Sequence, residues 1–171
     1  MEQKKAKIIS NFLDDQSFRE IKNFLMSPRC PWRFIESVNK YDNSKNGYFL
    51  HNFKDCDPKT FQDRFPVSEN FHLIFKILEK LKYKNILRIR SSLYPRRDKQ
   101  DPDAFHIDYE FDHTVCIYYV NTNNGYTMFE NGEKIPSKEN QLAIFNGLEK
   151  HCSVVQTDTA ARCIININIL Q

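Results

Sequence analysis

The sequence predicts a mainly β domain with supporting helices (α+β), its strands arranged as a sandwich or barrel. Three observations lead there. From Asn85 onward, short apolar or alternating runs are separated by the turn signals Asn123-Asn124-Gly125, Asn131-Gly132 and Asn146-Gly147. Aromatic residues make up 13 % of the chain, with 14 Phe and 8 Tyr, side chains that favour pleated, half-buried surfaces. Helical periodicity is confined to two stretches of the first half.

Residues 7–12 read as a short strand leading into a helix. Asp14-Asp15 offers an N-cap and Ser17-x-x-Glu20 a capping box one turn later. Phe18, Ile21 and Leu25 share one face until Pro28 ends the pattern. Strands are expected at 32–38 and 48–53, joined by a polar tip at 42–47, with Trp32 and Tyr48 packed in the core. A stronger helix is expected through Phe71, Ile74, Phe75, Leu78 and Leu81, which form one apolar stripe. Strands follow at 86–93, around 106–108, and at 114–121, 126–129, 141–145 and 162–170. In the first of these, Arg88, Arg90 and Ser92 point opposite to Leu87, Ile89 and Ser91.

A length of 171 residues suffices for one domain with a sizeable core, and no linker divides the chain. One domain over 1–171 is expected, with 1–84 as support and 85–171 as the strand-rich core carrying the site. A net charge of +3, from 25 basic and 22 acidic residues, is too slight to argue for a nucleic-acid partner. The basic clusters at 4–7 and 96–99 read as solvated charge. Five cysteines, odd in number and without C-x-x-C spacing, speak against a disulfide framework or zinc finger and for a reducing, cytoplasmic setting. No run approaches the roughly 18–20 apolar residues of a membrane span, and no apolar stretch follows the charged residues 1–7, so neither a membrane nor secretion is expected.

His106 and Asp108 are two apart, so on an extended strand both leave one face. His151 can complete a set of two imidazoles and one carboxylate, which holds Fe(II) and leaves positions open. His51 and His72 stand alone and read as packed or surface residues, and His113, in what reads as a turn, is an outside candidate. In the last strand Arg162, Ile164, Asn166 and Asn168 share the face opposite Cys163, Ile165, Ile167 and Ile169. That face suits the solvent side of an edge strand or the wall of a polar cavity. In a cavity, Arg162 would clamp a carboxylate bidentately near the metal.

On these residues the sequence resembles the Fe(II)/2-oxoglutarate-dependent dioxygenases, particularly the prolyl-4-hydroxylase-like branch and its short phage-type members. The matching stretches are His-Ile-Asp at 106–108, Thr-Val-Cys-Ile-Tyr-Tyr-Val-Asn at 114–121, Asn-Gly-Tyr-Thr-Met-Phe at 124–129, Asn-Gln-Leu-Ala-Ile-Phe at 140–145, His151, and the strand opened by Arg162. The family's frequent Gly-Gly-Glu-Thr stretch is Asn124-Gly125-Tyr126-Thr127 here, lacking one Gly and the Glu.

The resemblance implies a double-stranded β-helix, a jelly-roll or cupin-like barrel. It implies Fe(II) on His106, Asp108 and His151, and 2-oxoglutarate with its 5-carboxylate on Arg162 and further contacts from Tyr118, Thr127 and Tyr94. It also implies use of O2, decarboxylation of 2-oxoglutarate to succinate, and hydroxylation of a prolyl or other amino-acid residue, free or in a peptide. Two alternatives stand beside this reading. One is the same chemistry on a nucleobase, motivated by Arg96, Arg97 and Lys99. The other is a non-catalytic jelly-roll binding or virion-associated module. Asn166 and Asn168 stand where nucleic-acid demethylases of the superfamily carry a second Arg, which weighs against DNA repair.

Overall fold

The computed structural model describes residues 6–36 and 46–171; the expected tip at 42–45, the strand end at 37–38 and the basic residues 4 and 5 lie outside them. The first helix, α1 (Asp15–Leu25), starts where the sequence offers a cap. The Asp14 carboxylate accepts the Ser17 N–H at 3.0 Å and the Ser17 hydroxyl at 2.8 Å, so Ser17 lies inside the first turn rather than opening it. Ile21, Phe24 and Leu25 form its buried face, and each aliphatic burial stabilises by roughly 1.5–3 kcal/mol.

Among the described residues ten strands form two antiparallel sheets: β1 (Lys7–Ile9), β2 (Arg33–Ile35), β3 (Tyr48–Asp55), β4 (Asn85–Pro95), β5 (Thr114–Tyr119), β6 (Tyr126–Phe129), β7 (Lys134–Pro136), β8 (Gln141–Asn146), β9 (His151–Val154) and β10 (Ala161–Leu170). The larger sheet runs β1-β8-β5-β10-β4-β3-β2 and the smaller β7-β6-β9. β1, from the first residues described, pairs with β8, with Ile8 opposite Ala143. In the first half, β1, β2 and β3 extend the same sheet that carries β10. β7 was not expected, because three residues ending in Pro136 show no period.

Strand alternation splits the apolar interior in two. On the outer face of the larger sheet Ile89, Cys116, Tyr118, Leu142, Cys163 and Ile165 pack with Ile21 and Leu25 of α1. On the inner face Tyr94, Val115, Ile117, Tyr119 and Phe145 meet Phe129 and Ile135 of the smaller sheet. Two facing antiparallel sheets, with helices on one outer side, make the double-stranded β-helix.

The helix expected through Phe71 to Leu81 is instead a 3-10 turn (Glu69–Ile74) followed by the four-residue α2 (Phe75–Leu78). Ser68 caps the turn, accepting the Asn70 N–H at 3.2 Å. Phe71, Ile74 and Ile77 are three apart, a spacing that a 3-10 turn stacks on one side. Phe75 accordingly points outward, 49 % exposed.

His51 on β3 is buried among Phe53, Phe24 and Trp32, at ring-centroid distances of 4.5, 5.8 and 6.3 Å, with Nε2 3.1 Å from the Ser68 hydroxyl. Tyr48 is buried too, whereas His72 is exposed. Burial lowers the His51 pKa. The unfolded chain then takes up this proton first, so stability is full above about pH 6.5 and falls as pH drops toward the folded pKa. Urea midpoints at pH 7.5 and 5.5 are expected to differ less in His51→Phe than in the parent. An unchanged difference would place the acid sensitivity elsewhere.

Candidate functional site

β9 opens on His151, whose backbone exchanges two hydrogen bonds with His106, each N–H to carbonyl at 3.0 Å. This isolated bridge stands in place of the strand expected around 106–108. The chain bends directly after it, so Asp108 is reached around a bend rather than along a pleat.

Both rings are held from behind. His106 Nδ1 lies 3.2 Å from the Ala104 carbonyl and His151 Nδ1 3.0 Å from the Glu149 carbonyl. In the neutral ring Nδ1 then carries the proton and Nε2 keeps its lone pair. Among the described residues neither Nε2 has a hydrogen-bond partner. The ring centroids are 4.9 Å apart. Burial lowers the His151 pKa against the pull of Asp108, favouring the neutral, metal-ligating form.

Burial alone would raise the Asp108 pKa, but the Arg88 guanidinium and the two imidazoles outweigh it and hold the carboxyl well below the usual range. Arg88 Nη2 donates to Oδ1 at 2.5 Å and Asn166 Nδ2 to Oδ2 at 3.1 Å, while Asn168 Nδ2 donates to Asn166 Oδ1 at 2.8 Å. The polar face of β10 is thus a cavity wall, since β10 lies between β5 and β4. Arg88 was not among the expected site residues, although its place on the Arg88–Arg90–Ser92 face was legible.

Among the described residues no three His, Cys, Asp or Glu side chains form a ready metal cluster. The imidazoles meet each other, and the carboxylate engages Arg88 and Asn166 instead. In kind the donors fit Fe(II): two imidazoles with free Nε2 atoms, and a carboxylate whose oxygens each accept one bond and retain a further lone pair.

Arg162 is fully buried. Its Nε donates to Ser137 Oγ at 2.8 Å, Nη1 to Ser153 Oγ at 3.1 Å and Nη2 to Thr127 Oγ1 at 3.3 Å. The rings of Tyr94 and Tyr119 lie 5.6 and 5.8 Å from its Cζ, and Tyr119 donates to Thr127 at 2.8 Å. All three hydrogen-bond partners are neutral hydroxyls, an arrangement that an anion would complete, since a buried cation without a counter-ion is costly. Gly125 makes room for the side chain: a Cβ there would lie 2.9 Å from Arg162 Cδ and from the Val154 carbonyl. His151 and Ser153 are two apart on β9, so the face that presents the imidazole also holds the guanidinium.

Of the expected co-substrate contacts, Thr127 and Tyr94 stand at Arg162. Tyr118 does not. It faces the helices, its ring against Phe12 at 6.3 Å and its hydroxyl donating to Asn140 Oδ1 at 2.9 Å. Alternation gives the Arg162 side to its neighbour Tyr119. An anion held by Arg162 is expected to bind several-fold more weakly in Tyr119→Phe, whereas Tyr118→Phe costs about 1 kcal/mol of stability and leaves binding alone. Titration calorimetry and thermal melts on the two variants separate the roles, and equal effects on binding would contradict the assignment.

His113 is buried, with Nδ1 2.7 Å from the Phe111 carbonyl and its ring against Gly147. In the 95–103 loop Arg97 pairs with Asp103 at 2.7 Å and Lys99 with Asp101 at 3.3 Å, which blunts the phosphate-binding motive for a nucleobase substrate. No helix of the described residues is long and apolar enough to cross a membrane.

No protein-family model and no curated protein matches the chain. Solved structures do. The viral collagen prolyl hydroxylase of Paramecium bursaria Chlorella virus-1, in complex with 2-oxoglutarate, has a TM-score of 0.61 at 15 % identity, covering 97 % of this chain and 96 % of that one. A 2OG-Fe(II) oxygenase family oxidoreductase from Burkholderia pseudomallei has a TM-score of 0.68 at 8 % identity, covering 96 % and 84 %. The fold is that of the 2OG-Fe(II) oxygenases. A third protein with this oxygenase fold, the Trichoplax adhaerens prolyl hydroxylase in complex with a hypoxia-inducible-factor peptide, has a TM-score of 0.62 at 16 % identity, covering 96 % and 83 %. The likeness to the oxygenases runs over nearly the whole chain and includes the expected double-stranded β-helix.

Proposed function

We propose that the chain is an Fe(II)/2-oxoglutarate-dependent hydroxylase acting on a prolyl or other amino-acid residue. The observation that carries this reading is the pair of imidazoles whose Nδ1 atoms are tied to backbone carbonyls and whose Nε2 atoms are left to a ligand. His106, His151 and Asp108 would hold Fe(II), with Arg88 and Asn166 orienting the carboxylate. Arg162 would hold the distal carboxylate of 2-oxoglutarate, its fork aimed by the three hydroxyls. Tyr94 and Tyr119 wall this end with apolar rings and keep water from the ion pair. Bound together, the iron and 2-oxoglutarate supply the oxidising power that places one oxygen atom of O2 on a substrate C–H bond and the other in succinate.

The prolyl preference rests on the likeness to prolyl hydroxylases of a virus and of Trichoplax adhaerens. The free, buried cysteines suit a reducing cytoplasm. The test is iron analysis of the purified protein with a succinate-release screen over proline, prolyl peptides, other free amino acids and nucleotides. Iron- and 2-oxoglutarate-dependent succinate, raised by an amino-acid or prolyl acceptor, is the expected result. Stimulation by nucleotides alone would replace the substrate assignment, and no iron-dependent succinate would overturn the reading.

A further inference from the structure

A second cationic feature begins at Arg88, which orients the Asp108 carboxylate, and continues away from the metal residues to Arg90. Arg88 and Arg90 share the inner face of β4, in register with Asn168 and Asn166 of β10. Arg88 pairs with Asp108, and Arg90 with Asp55 at 2.5 Å, which Arg64 also approaches at 3.8 Å. Arg64 also reaches Asp57 at 3.6 Å, so three carboxylates face three guanidinium groups, and in the holoenzyme Asp108 would have the iron's charge to offset as well, which leaves the arginines in excess. Buried and without a protein hydrogen-bond partner in the same place are Arg88 Nε, Arg90 Nε, Asn52 Oδ1 and Asp55 Oδ1, with Asn52 directly opposite Arg90. Next to them opens a cleft of about 480 Å³ lined by Arg90, Asn52, Arg33, Phe65 and Val67, with Glu69 also on its wall. Phe65 and Val67 are 53 % and 38 % exposed.

We infer that the acceptor substrate carries a carboxylate, which Arg90, with Arg88 behind it, holds in this cleft. The inference rests on the hydroxylase reading and narrows its substrate. A guanidinium matches a carboxylate's two oxygens, and the apolar wall at Phe65 and Val67 takes the carbon skeleton attached to it. Such a carboxylate belongs either to a free amino acid or to an acidic residue flanking the hydroxylated one in a peptide.

Matched acceptors separate these sources: L-proline against L-prolinamide, and an end-blocked peptide with Glu beside Pro against its Gln counterpart. In at least one pair, kcat/KM for the carboxylate member is expected to be about tenfold higher, and Arg90→Gln is expected to close the gap mainly through KM. Preference within the first pair assigns a free amino acid, and within the second an acidic peptide. Equal use of both members of both pairs overturns the inference while leaving the hydroxylase reading intact. Absence of iron-dependent succinate with every acceptor counts against the hydroxylase reading, and calorimetry with the same four compounds then decides. Binding that favours a carboxylate member and is lost in Arg90→Gln supports the inference, and equal or absent binding overturns it.

Discussion

Replacing His106, Asp108 or His151 with alanine is expected to reduce iron-dependent succinate formation by at least about 100-fold, the upper end of what even outer contacts to a metal are worth. The three variants should differ in stability. Asp108→Ala removes the partner of Arg88, whose side chain is only 16 % exposed, and leaves a largely buried cation uncompensated. A broken pair of this kind costs about 3–5 kcal/mol. Adding Arg88→Met to Asp108→Ala should restore most of that stability and none of the activity. Melts followed by circular dichroism, run beside the succinate assay, separate loss of metal from loss of fold. Full turnover in any single variant would remove that residue from the iron site.

Arg162→Met is expected to raise the 2-oxoglutarate dissociation constant about 10- to 100-fold, the worth of a charge-assisted pair in a dry site. The same change should leave the melting temperature of the unliganded protein unchanged or raise it. The guanidinium is fully buried and bonded only to hydroxyls, so in the absence of an anion its desolvation is poorly offset. Arg162→Lys should bind 2-oxoglutarate better than Arg162→Met and worse than the parent, because an ammonium cannot serve three hydroxyls and a carboxylate in the same fork. Unaltered 2-oxoglutarate affinity in Arg162→Met would place the anchor elsewhere.

The parts of this protein that were legible are those with one buried face. β10 is the clearest, because its Arg162–Asn168 row and its Cys163–Ile169 row differ in polarity and point to different sides. β5 has both faces covered, Val115 to Tyr119 all being buried, so polarity does not reveal which tyrosine faces which way. The sequence therefore does not distinguish Tyr118 from Tyr119 as the ring on the Arg162 side. The Phe71–Leu81 stripe misleads for a related reason: positions three and four apart serve an α-helix, but those three apart alone serve a 3-10 turn. His106, Asp108 and His151 are visible as residue types. The bend that delivers Asp108 to Arg88 is not, since it depends on a partner 20 residues away on another strand. Arg88 carried a signal, its side of β4, but nothing in the sequence says which acid it meets.

The pairing of β1 with β8 bears on how the protein is made. Leu13 and Asn140 exchange hydrogen bonds at 2.9 Å across 127 residues, and Ile8 sits opposite Ala143. On the ribosome the first of these partners emerges long before the second. The sheet therefore closes only after β8 has been made, 127 residues separating Leu13 from Asn140, and closure over so long a loop is intrinsically slow. Until then β1 waits unpaired, and β8, which leads through its turn to His151, has an open edge from its emergence until β1 docks on it. Slow synthesis at low temperature should raise the yield of active protein more than added chaperones acting on the finished fold. A proteolytic nick within residues 7–13 should release that edge again and show itself as aggregation before any loss of the iron ligands.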